Sequence, residues 1–292
     1  MTIAALRKLV RGLLAGANSG SVAVVGDIVT READWIIRSI LHVPRATLIA
    51  RAEREVDENA ARRVLARAKR RAEGQPLQYV TTEAEFFGLP LRVTPDVLIP
   101  RPETEEVTAR VLELVDRSDA RSVWDLCCGS GAIALAVKHI RPAVSVAGFD
   151  NSSPALSTAV VNGARLGLSV RWVKADVLDP SFVDIASAYG RCDIIVSNPP
   201  YIGELETDEV AFDVLAFEPR EALFAVGPDP LVFYRRIAAL ATNVLVPGGS
   251  VVLETHVDRA QDVARLLRRA GFRDVNVTVD QAGRPRTVEG SR

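Results

Sequence analysis

The chain has 292 residues, 36 basic and 37 acidic side chains and a net charge of −1, enough length for one large domain or two moderate ones with a sizeable core. The balanced charge excludes the overall basic character of a nucleic-acid or polyanion binder. Three cysteines exclude a disulfide framework and point to a reducing compartment, and with no signal peptide and no apolar run long enough for a bilayer the sequence reads as cytoplasmic.

Residues 1 to about 75 are helical in pattern. "EADWIIRSILHVPRATLIA" sets Trp35, Ile36, Ile37, Ile40, Leu41 and Val43 at helical spacing and breaks at Pro44. "DENAARRVLARAKRRAEG" opens on Asp57 as N-cap and ends at Gly74. Its arginines, Arg62, Arg63, Arg67, Arg70 and Arg71, read as a solvated helix face, with an acidic partner as the alternative. In residues 76–99, Tyr79-Val80 and Leu91-Arg92-Val93 read as short strands around the bend Gly88-Leu89-Pro90, a β-hairpin linking two halves. Residues 100–292 form the larger domain. It begins with "PRPETEEVTARVLELV", where Pro102 suits a first helical turn. Glu103, Glu105 and Glu106 complement that helix's positive end and need no catalytic role.

Strands and helices then alternate. Strands are predicted at Ser122–Leu126, Val144–Phe149, Val170–Lys174, Cys192–Val196 and Val251–Leu253, with helices at "GSGAIALAVKHI", Pro154–Leu166, "DPLVFYRRIAALATNVL" and "RAQDVARLLRRAG". "DVNVTV" and "RTVEG" follow as an antiparallel hairpin at one edge. The fold class is α/β: a mostly parallel sheet with helices on both faces.

In such sheets ligands bind outside the carboxyl ends of the strands. Four successive strands end there in polar groups. The first carries Asp125 and runs into Cys127-Cys128-Gly129-Ser130-Gly131; the others lead to Asp150, Asp176 and Asn198. Gly129-Ser130-Gly131 permits a tight turn close to a ligand, and with Ala134 it matches the loose dinucleotide pattern. Asp150 lies at the spacing of an acid that accepts hydrogen bonds from both ribose hydroxyls; Ser152 or Ser153 can cap the following helix in its place. Asp125 reads mainly as a loop tie. An adenosine-containing cofactor follows, of a kind these residues leave open. The histidines, His42, His139 and His256, are isolated, so no metal site is expected.

"SNPPY", Ser197 to Tyr201, separates the candidates. Two prolines stiffen the exit from the strand. No histidine lies near these strand ends to relay a proton for hydride transfer. Methyl transfer instead needs a nucleophile held in line with a sulfonium methyl. If that nucleophile is an amide nitrogen, its lone pair is delocalised, as a rotation barrier of about 18–20 kcal/mol attests. The side-chain oxygen of Asn198 and the carbonyl of Pro199 can accept both N–H groups and turn the lone pair outward. Tyr201 offers a flat wall, and Pro200 keeps the hook rigid.

"DLCCGSGAIAL", "GFDNSSPAL", "ADVLDP" and "SNPPYI" resemble motifs of class I S-adenosylmethionine-dependent methyltransferases that act on planar nitrogens. "GQPLQYVTTEAEFFGLPLRVTPDVLIPRPETEE", "FEPREALFA", "DQAGRPRTVEG" and "ADWIIRSILHVPRATLIA" are similar to the peptide chain release factor glutamine methyltransferases, so the resemblance spans nearly the whole chain. It implies a Rossmann-like, seven-stranded, mostly parallel catalytic domain behind a small helical substrate-recognition domain. It implies S-adenosylmethionine as cofactor, S-adenosylhomocysteine as product, and class I release factors as substrate, through the glutamine of a Gly-Gly-Gln loop docked between the domains. Cys127, Cys128, Gly129, Ser130 and Gly131 would line the methionine part, Asp150 the ribose, and Asp176 and Val177 the adenine. Asn198, Pro199, Pro200 and Tyr201 would grip the glutamine amide, with Asn198, Pro199 and Tyr201 catalytic. Phe86 or Phe87 would wall the pocket, unless they form the hairpin's core.

Cys127-Cys128 replaces the usual Gly-Thr, which raises crowding at residue 127 and oxidation of vicinal thiols as expectations. "LETH" and "GPDPL" also depart from the pattern. Ribosomal-protein glutamine methyltransferases, which usually differ around "PRPETE", rank second. A nucleic-acid amino methyltransferase and a nicotinamide-binding or non-catalytic protein on the same sheet remain alternatives.

Overall fold

The computed structural model describes residues 1–16 and 26–292; the part of the helical expectation that falls on residues 17–25 lies outside them. Two compact units emerge. One comprises Met1–Glu83 with Ala211–Phe217, the other Ala84–Val210 with Glu218–Arg292. This division differs from the 1–75, 76–99 and 100–292 partition, because the hairpin belongs with the sheet and a late segment joins the helices.

The helical unit contains α1 (Ile3–Ala15), α2 (Gly26–Leu41), α3 (Arg45–Ala50), α4 (Glu58–Ala72) and α5 (Leu77–Thr81). Side chains cap two of them: Thr2 accepts from Ala5 N, and Asp57 from Ala60 N. Leu6, Val10, Ile36, Ile37, Leu48 and Val64 are fully buried along the facing stripes. Asp34 is buried among them and accepts from Arg7 at 2.7 and 3.1 Å and from Arg45 at 3.0 Å. The α4 arginines are only partly a solvated face. Arg71 pairs bidentately with Glu32 at 2.9 Å, and Arg67 donates to Ser39.

Tyr79-Val80 is helix, not strand. Pro76 opens α5 and Thr82, left-handed at φ +61°, closes it. The hairpin therefore starts later, as β1 (Glu83–Phe86) and β2 (Leu89–Arg92). Its turn is Phe87-Gly88, not Gly88-Leu89-Pro90. Both turn residues have positive φ, +51° and +72°, the type I′ geometry that matches strand twist.

The sheet unit continues with α6 (Pro102–Ser118), β3 (Ser122–Leu126), α7 (Ala132–Ile140), β4 (Ser145–Asp150), α8 (Ser153–Leu166), β5 (Arg171–Lys174), α9 (Phe182–Ser187) and β6 (Cys192–Ser197). After α10 (Phe212–Phe217), which belongs to the helical unit, come α11 (Arg220–Leu223), α12 (Val232–Val244), β7 (Leu245–Glu254), α13 (Ala260–Arg269), β8 (Arg273–Val279) and β9 (Pro285–Ser291). The strand order is β5-β4-β3-β6-β7-β9-β8. The first five run parallel, and β9 is antiparallel to both β7 and β8. The terminal hairpin thus lies at the edge with its second strand innermost.

Alternation along β3 splits the core between the faces: Val123 points to one side, Trp124 and Leu126 to the other. Trp124, Phe149, Phe182 and Tyr234 fill the first face; Val107, Val111, Leu135 and Val252 fill the second. From β3 the chain winds outward through β4 and β5, then returns to the other side of β3 as β6. That reversal opens a crevice at the carboxyl ends of β3 and β6.

Candidate active site

A crevice with about 920 Å³ of open volume sits at that reversal, within the sheet unit. Asp125, Cys127, Cys128, Gly129, Ser130, Asp150, Asp176, Val177, Asn198 and Pro200 line it. Ten expected or considered residues, scattered over some 75 positions of sequence, therefore meet in one place. Gly131, Pro199 and Tyr201 do not line it. Gly131 starts α7 at φ +80°, where a Cβ would lie 2.5 Å from Trp172 Cη2; packing, rather than ligand contact, requires a glycine. Pro199 is buried, and the Tyr201 ring packs against the core near His256, with centroids 6.1 Å apart. Phe86 is buried in the core and Phe87 packs beside it, so neither walls the crevice.

The loop after β3 is shaped by backbone geometry and by Asp150. Cys127 is left-handed at φ +59° and Gly129 at +53°. The crowding expected at residue 127 is a backbone cost, since a Cβ in that region costs roughly 1–2 kcal/mol. Asp150 Oδ2 accepts from Gly129 N at 2.8 Å, and Oδ1 from Ser152 N at 2.9 Å. Ser152 caps α8. Each carboxylate oxygen keeps a further lone pair for a ligand hydroxyl. Burial raises the Asp150 pKa. Asp176 binds Leu178 N at 2.8 Å, and Arg236 donates to the carbonyls of Val177 and Asp179 at 2.9 and 2.8 Å. This side of the crevice is thus held in shape by fixed partners.

Asp125 is more than a loop tie. It is 1% exposed, and its Oδ2 accepts from Ala134 N at 3.1 Å. Its Oδ1 is buried with no partner among the described residues. Burial, reinforced by the charge of Asp150, pushes its pKa up to about 8. An orphaned carboxylate oxygen beside a crevice is an acceptor awaiting a donor.

The thiols behave differently from the expectation of redox sensitivity. Burial pushes the Cys127 and Cys128 thiols well up, and the surrounding carboxylates push in the same direction. They stay protonated near neutral pH, where the thiolate is the reactive form.

The hook after β6 is pinned on both sides. Ile202 N donates to Leu223 O at 3.0 Å, and Ala225 N to Ile202 O at 2.8 Å. Asn198 Nδ2 donates to Thr104 Oγ1 at 3.1 Å, and Thr104 Oγ1 donates to Glu254 Oε2 at 2.7 Å. Asn198 and Thr104 both line the crevice. With its nitrogen occupied, Asn198 has its oxygen left for a ligand. Glu254 is 1% exposed, and burial pushes its pKa up to about 7.

Two further crevice elements escaped the sequence reading. Glu218 is buried and accepts from Ile99 N at 3.2 Å and from Arg101. It thereby holds the strip Val97–Arg101 that closes one wall. Its signal was present in "FEPREALFA", but no spacing rule connects it to residues 117 positions earlier. Thr104 lay in plain view in "PRPETEE", masked by the three glutamates around it. Those glutamates have structural partners: Glu103 pairs with Arg284, Glu105 accepts from Phe87 N, and Glu106 from Gln281 N.

Residues 102–242 match the methyltransferase small domain, and residues 26–81 the PrmC N-terminal domain. A release factor glutamine methyltransferase of Moorella thermoacetica is 40% identical, over 87% of this chain and 88% of its own. Those of Burkholderia pseudomallei and Bacteroides thetaiotaomicron are each 39% identical; the first covers 89% of this chain and 90% of its own, the second 75% and 76%. Among solved structures, the hMettl16 catalytic domain in complex with a 3'UTR hairpin shares the fold, with a TM-score of 0.55 at 17% identity over 80% of this chain and 82% of that one.

Proposed function

The chain belongs to the release factor glutamine methyltransferases, and from that footing we propose that it methylates the side-chain nitrogen of the Gly-Gly-Gln glutamine in class I peptide chain release factors. The observation that carries the reading is Asn198, held by its nitrogen on Thr104, with its oxygen left for a substrate N–H on the crevice that Asp125 and Asp150 share.

The crevice residues fit S-adenosylmethionine. Asp125 Oδ1 is the orphaned acceptor an α-ammonium would satisfy. Asp150 retains lone pairs for the ribose hydroxyls. Asp176, Val177, Ala175 and Phe233 offer a mixed polar and apolar seat for adenine. Five acidic side chains, Asp96, Asp125, Asp150, Asp176 and Glu221, line the crevice against one arginine, Arg101, which favours a ligand with positive charge. When bound, S-adenosylmethionine supplies a methyl group on positively charged sulfur.

The protein's task is to present nitrogen to that methyl. An amide lone pair is spread over its carbonyl, and restoring it costs a good part of a barrier of about 18–20 kcal/mol. Asn198 Oδ1, which faces the crevice, accepts an amide N–H and favours the geometry in which the lone pair is turned out. Pro199 and Pro200 limit backbone freedom, so the acceptor needs little reorganisation during reaction. Tyr201 stiffens the hook from behind; burial pushes its phenol up to about 12, which rules it out as a base near neutral pH. No strong base is needed, because the nitrogen becomes acidic as it is methylated.

A protein substrate is favoured over nucleic acid by the near-neutral charge. The cysteines are free thiols, which suits the cytoplasm, where release factors work; among the described residues no helix is long and apolar enough to cross a membrane. The test is transfer of labelled methyl from S-adenosylmethionine to purified release factor, ribosomal protein and RNA in parallel. Label on a release-factor glutamine alone supports the reading; label on RNA or ribosomal protein alone overturns it.

A further inference from the structure

Three distant segments meet at the Thr104 hydroxyl: the first turn of α6, which carries it, the end of β7 with Glu254, and the residue just past β6, Asn198. Thr104 is 5% exposed and Glu254 1%. A hydroxyl carries one proton and two lone pairs. With the proton of Thr104 donated to Glu254, the face toward Asn198 can only accept. Of the two ends of the Asn198 amide, only nitrogen can donate to it. The carboxylate thereby dictates, through one hydroxyl, which end of Asn198 the crevice receives.

We propose that Thr104 and Glu254 are positioning residues that fix the side-chain amide of Asn198 with its oxygen toward the substrate. The inference rests on the reading that Asn198 grips the glutamine amide. The relay has a chemical polarity. A protonated Glu254 would donate to Thr104, whose proton would then turn toward Asn198. The favoured amide orientation would reverse and offer the substrate a donor where it needs an acceptor. The charged and titratable groups facing Glu254 are Arg101 and Glu103 at the start of α6, Arg286 on β9, Tyr201 on the hook and Tyr234 on α12. Tyr234 is already committed, donating its hydroxyl to the main-chain carbonyl of Glu254 at 3.0 Å. The two arginines favour the ionised carboxylate; burial and Glu103 oppose it.

The experiment compares wild type, Thr104→Val, Thr104→Ser, Glu254→Gln and Asn198→Ala in single-turnover methyl transfer to purified release factor across pH, with S-adenosylmethionine saturating at every pH so that cofactor affinity does not enter the profile, alongside S-adenosylmethionine binding. Thr104→Val is expected to lower the transfer rate roughly tenfold or more, with KM for the release factor and cofactor affinity little changed. Thr104→Ser should restore the rate. Wild type should lose rate as pH falls through the titration of Glu254. Glu254→Gln, whose amide oxygen accepts from Thr104 at every pH, should lose that acid limb. A wild-type rate in Thr104→Val, or an acid limb that persists in Glu254→Gln, overturns the relay. If Thr104→Val does not fold, the Glu254→Gln profile decides alone. An inactive Asn198→Ala beside an unaffected Thr104→Val would sink the relay only; an active Asn198→Ala would sink the reading beneath it.

Discussion

Protonation of Asp125 should make cofactor binding pH-dependent. Its buried carboxyl titrates near about 8 in the free site, whereas a bound ammonium would hold it ionised. Around that value the ionised fraction rises from about one in a hundred at about pH 6 to about one in ten at about pH 7. Over that range the ligand's α-amino group, with a pKa of about 7.7–8.0, stays largely protonated. With the amine's small uptake subtracted, apparent affinity should therefore strengthen about eightfold, about 1.2 kcal/mol, with about 0.8 proton released per cofactor bound near pH 7. Isothermal titration calorimetry in buffers of different ionisation enthalpy reads both quantities. Asp125→Asn should weaken binding and flatten the dependence. The sign for stability follows from the same shift. The folded-state pKa lies above the ordinary carboxylate value of 3.8, so between the two values the folded state holds the extra proton. The ligand-free protein should lose stability as pH rises through that window, less steeply in Asp125→Asn. Wild-type affinity that is flat from about pH 6 to about pH 7, with no proton released, would refute the assignment.

Gly148→Ala would put a Cβ 2.5 Å from Trp172 Cζ3 and 3.0 Å from Cys128 Sγ; a stability loss of about 1–3 kcal/mol and weaker cofactor binding are expected, measured by denaturant unfolding and calorimetry. At neutral pH, Cys127 and Cys128 should resist iodoacetamide in the folded protein and react when it is unfolded, as peptide mass spectrometry will report; rapid modification of the native thiols would contradict their raised pKa. Asp34→Ala removes the shared partner of Arg7 and Arg45, both of which keep access to water, and should cost the helical unit about 1–2 kcal/mol, seen as faster hydrogen exchange in α1 and α2 with the sheet unit's protection kept.

The sheet was legible because its pattern is redundant. Each strand of β3–β6 is a short apolar run followed by a polar turn and a helix, and Ser122–Leu126 was read to the residue. The α5 segment departs from its sequence pattern because Tyr79 and Val80 favour strands in isolation, while Pro76 and Thr82 decide their conformation from outside the pair. The hairpin turn was misplaced for a similar reason. Phe87 has no sequence mark of positive φ, and Gly88 could have opened or closed the bend. In the site, Asp150 and Asn198 were visible from spacing and motif. Asp125 was undervalued because sequence shows neither burial nor the missing partner of Oδ1. Thr104 is not legible as a site residue, nor are Glu218 and Glu254 as its supports, because tertiary packing alone brings Thr104 to the crevice and the two glutamates behind its wall. The departure at "LETH" is absorbed locally: Thr255 is fully buried and its N–H donates to Arg286 O at 2.8 Å.

The most direct measurement is the rate of methyl transfer to the release-factor glutamine in wild type and Asn198→Ala, with S-adenosylmethionine affinity measured on both proteins. Removing a preorganised polar contact to the reacting group is expected to lower kcat by about 10²–10³-fold and to leave cofactor affinity within a factor of about two. Equal transfer rates in the two proteins would contradict the claim that Asn198 presents the amide nitrogen for methylation.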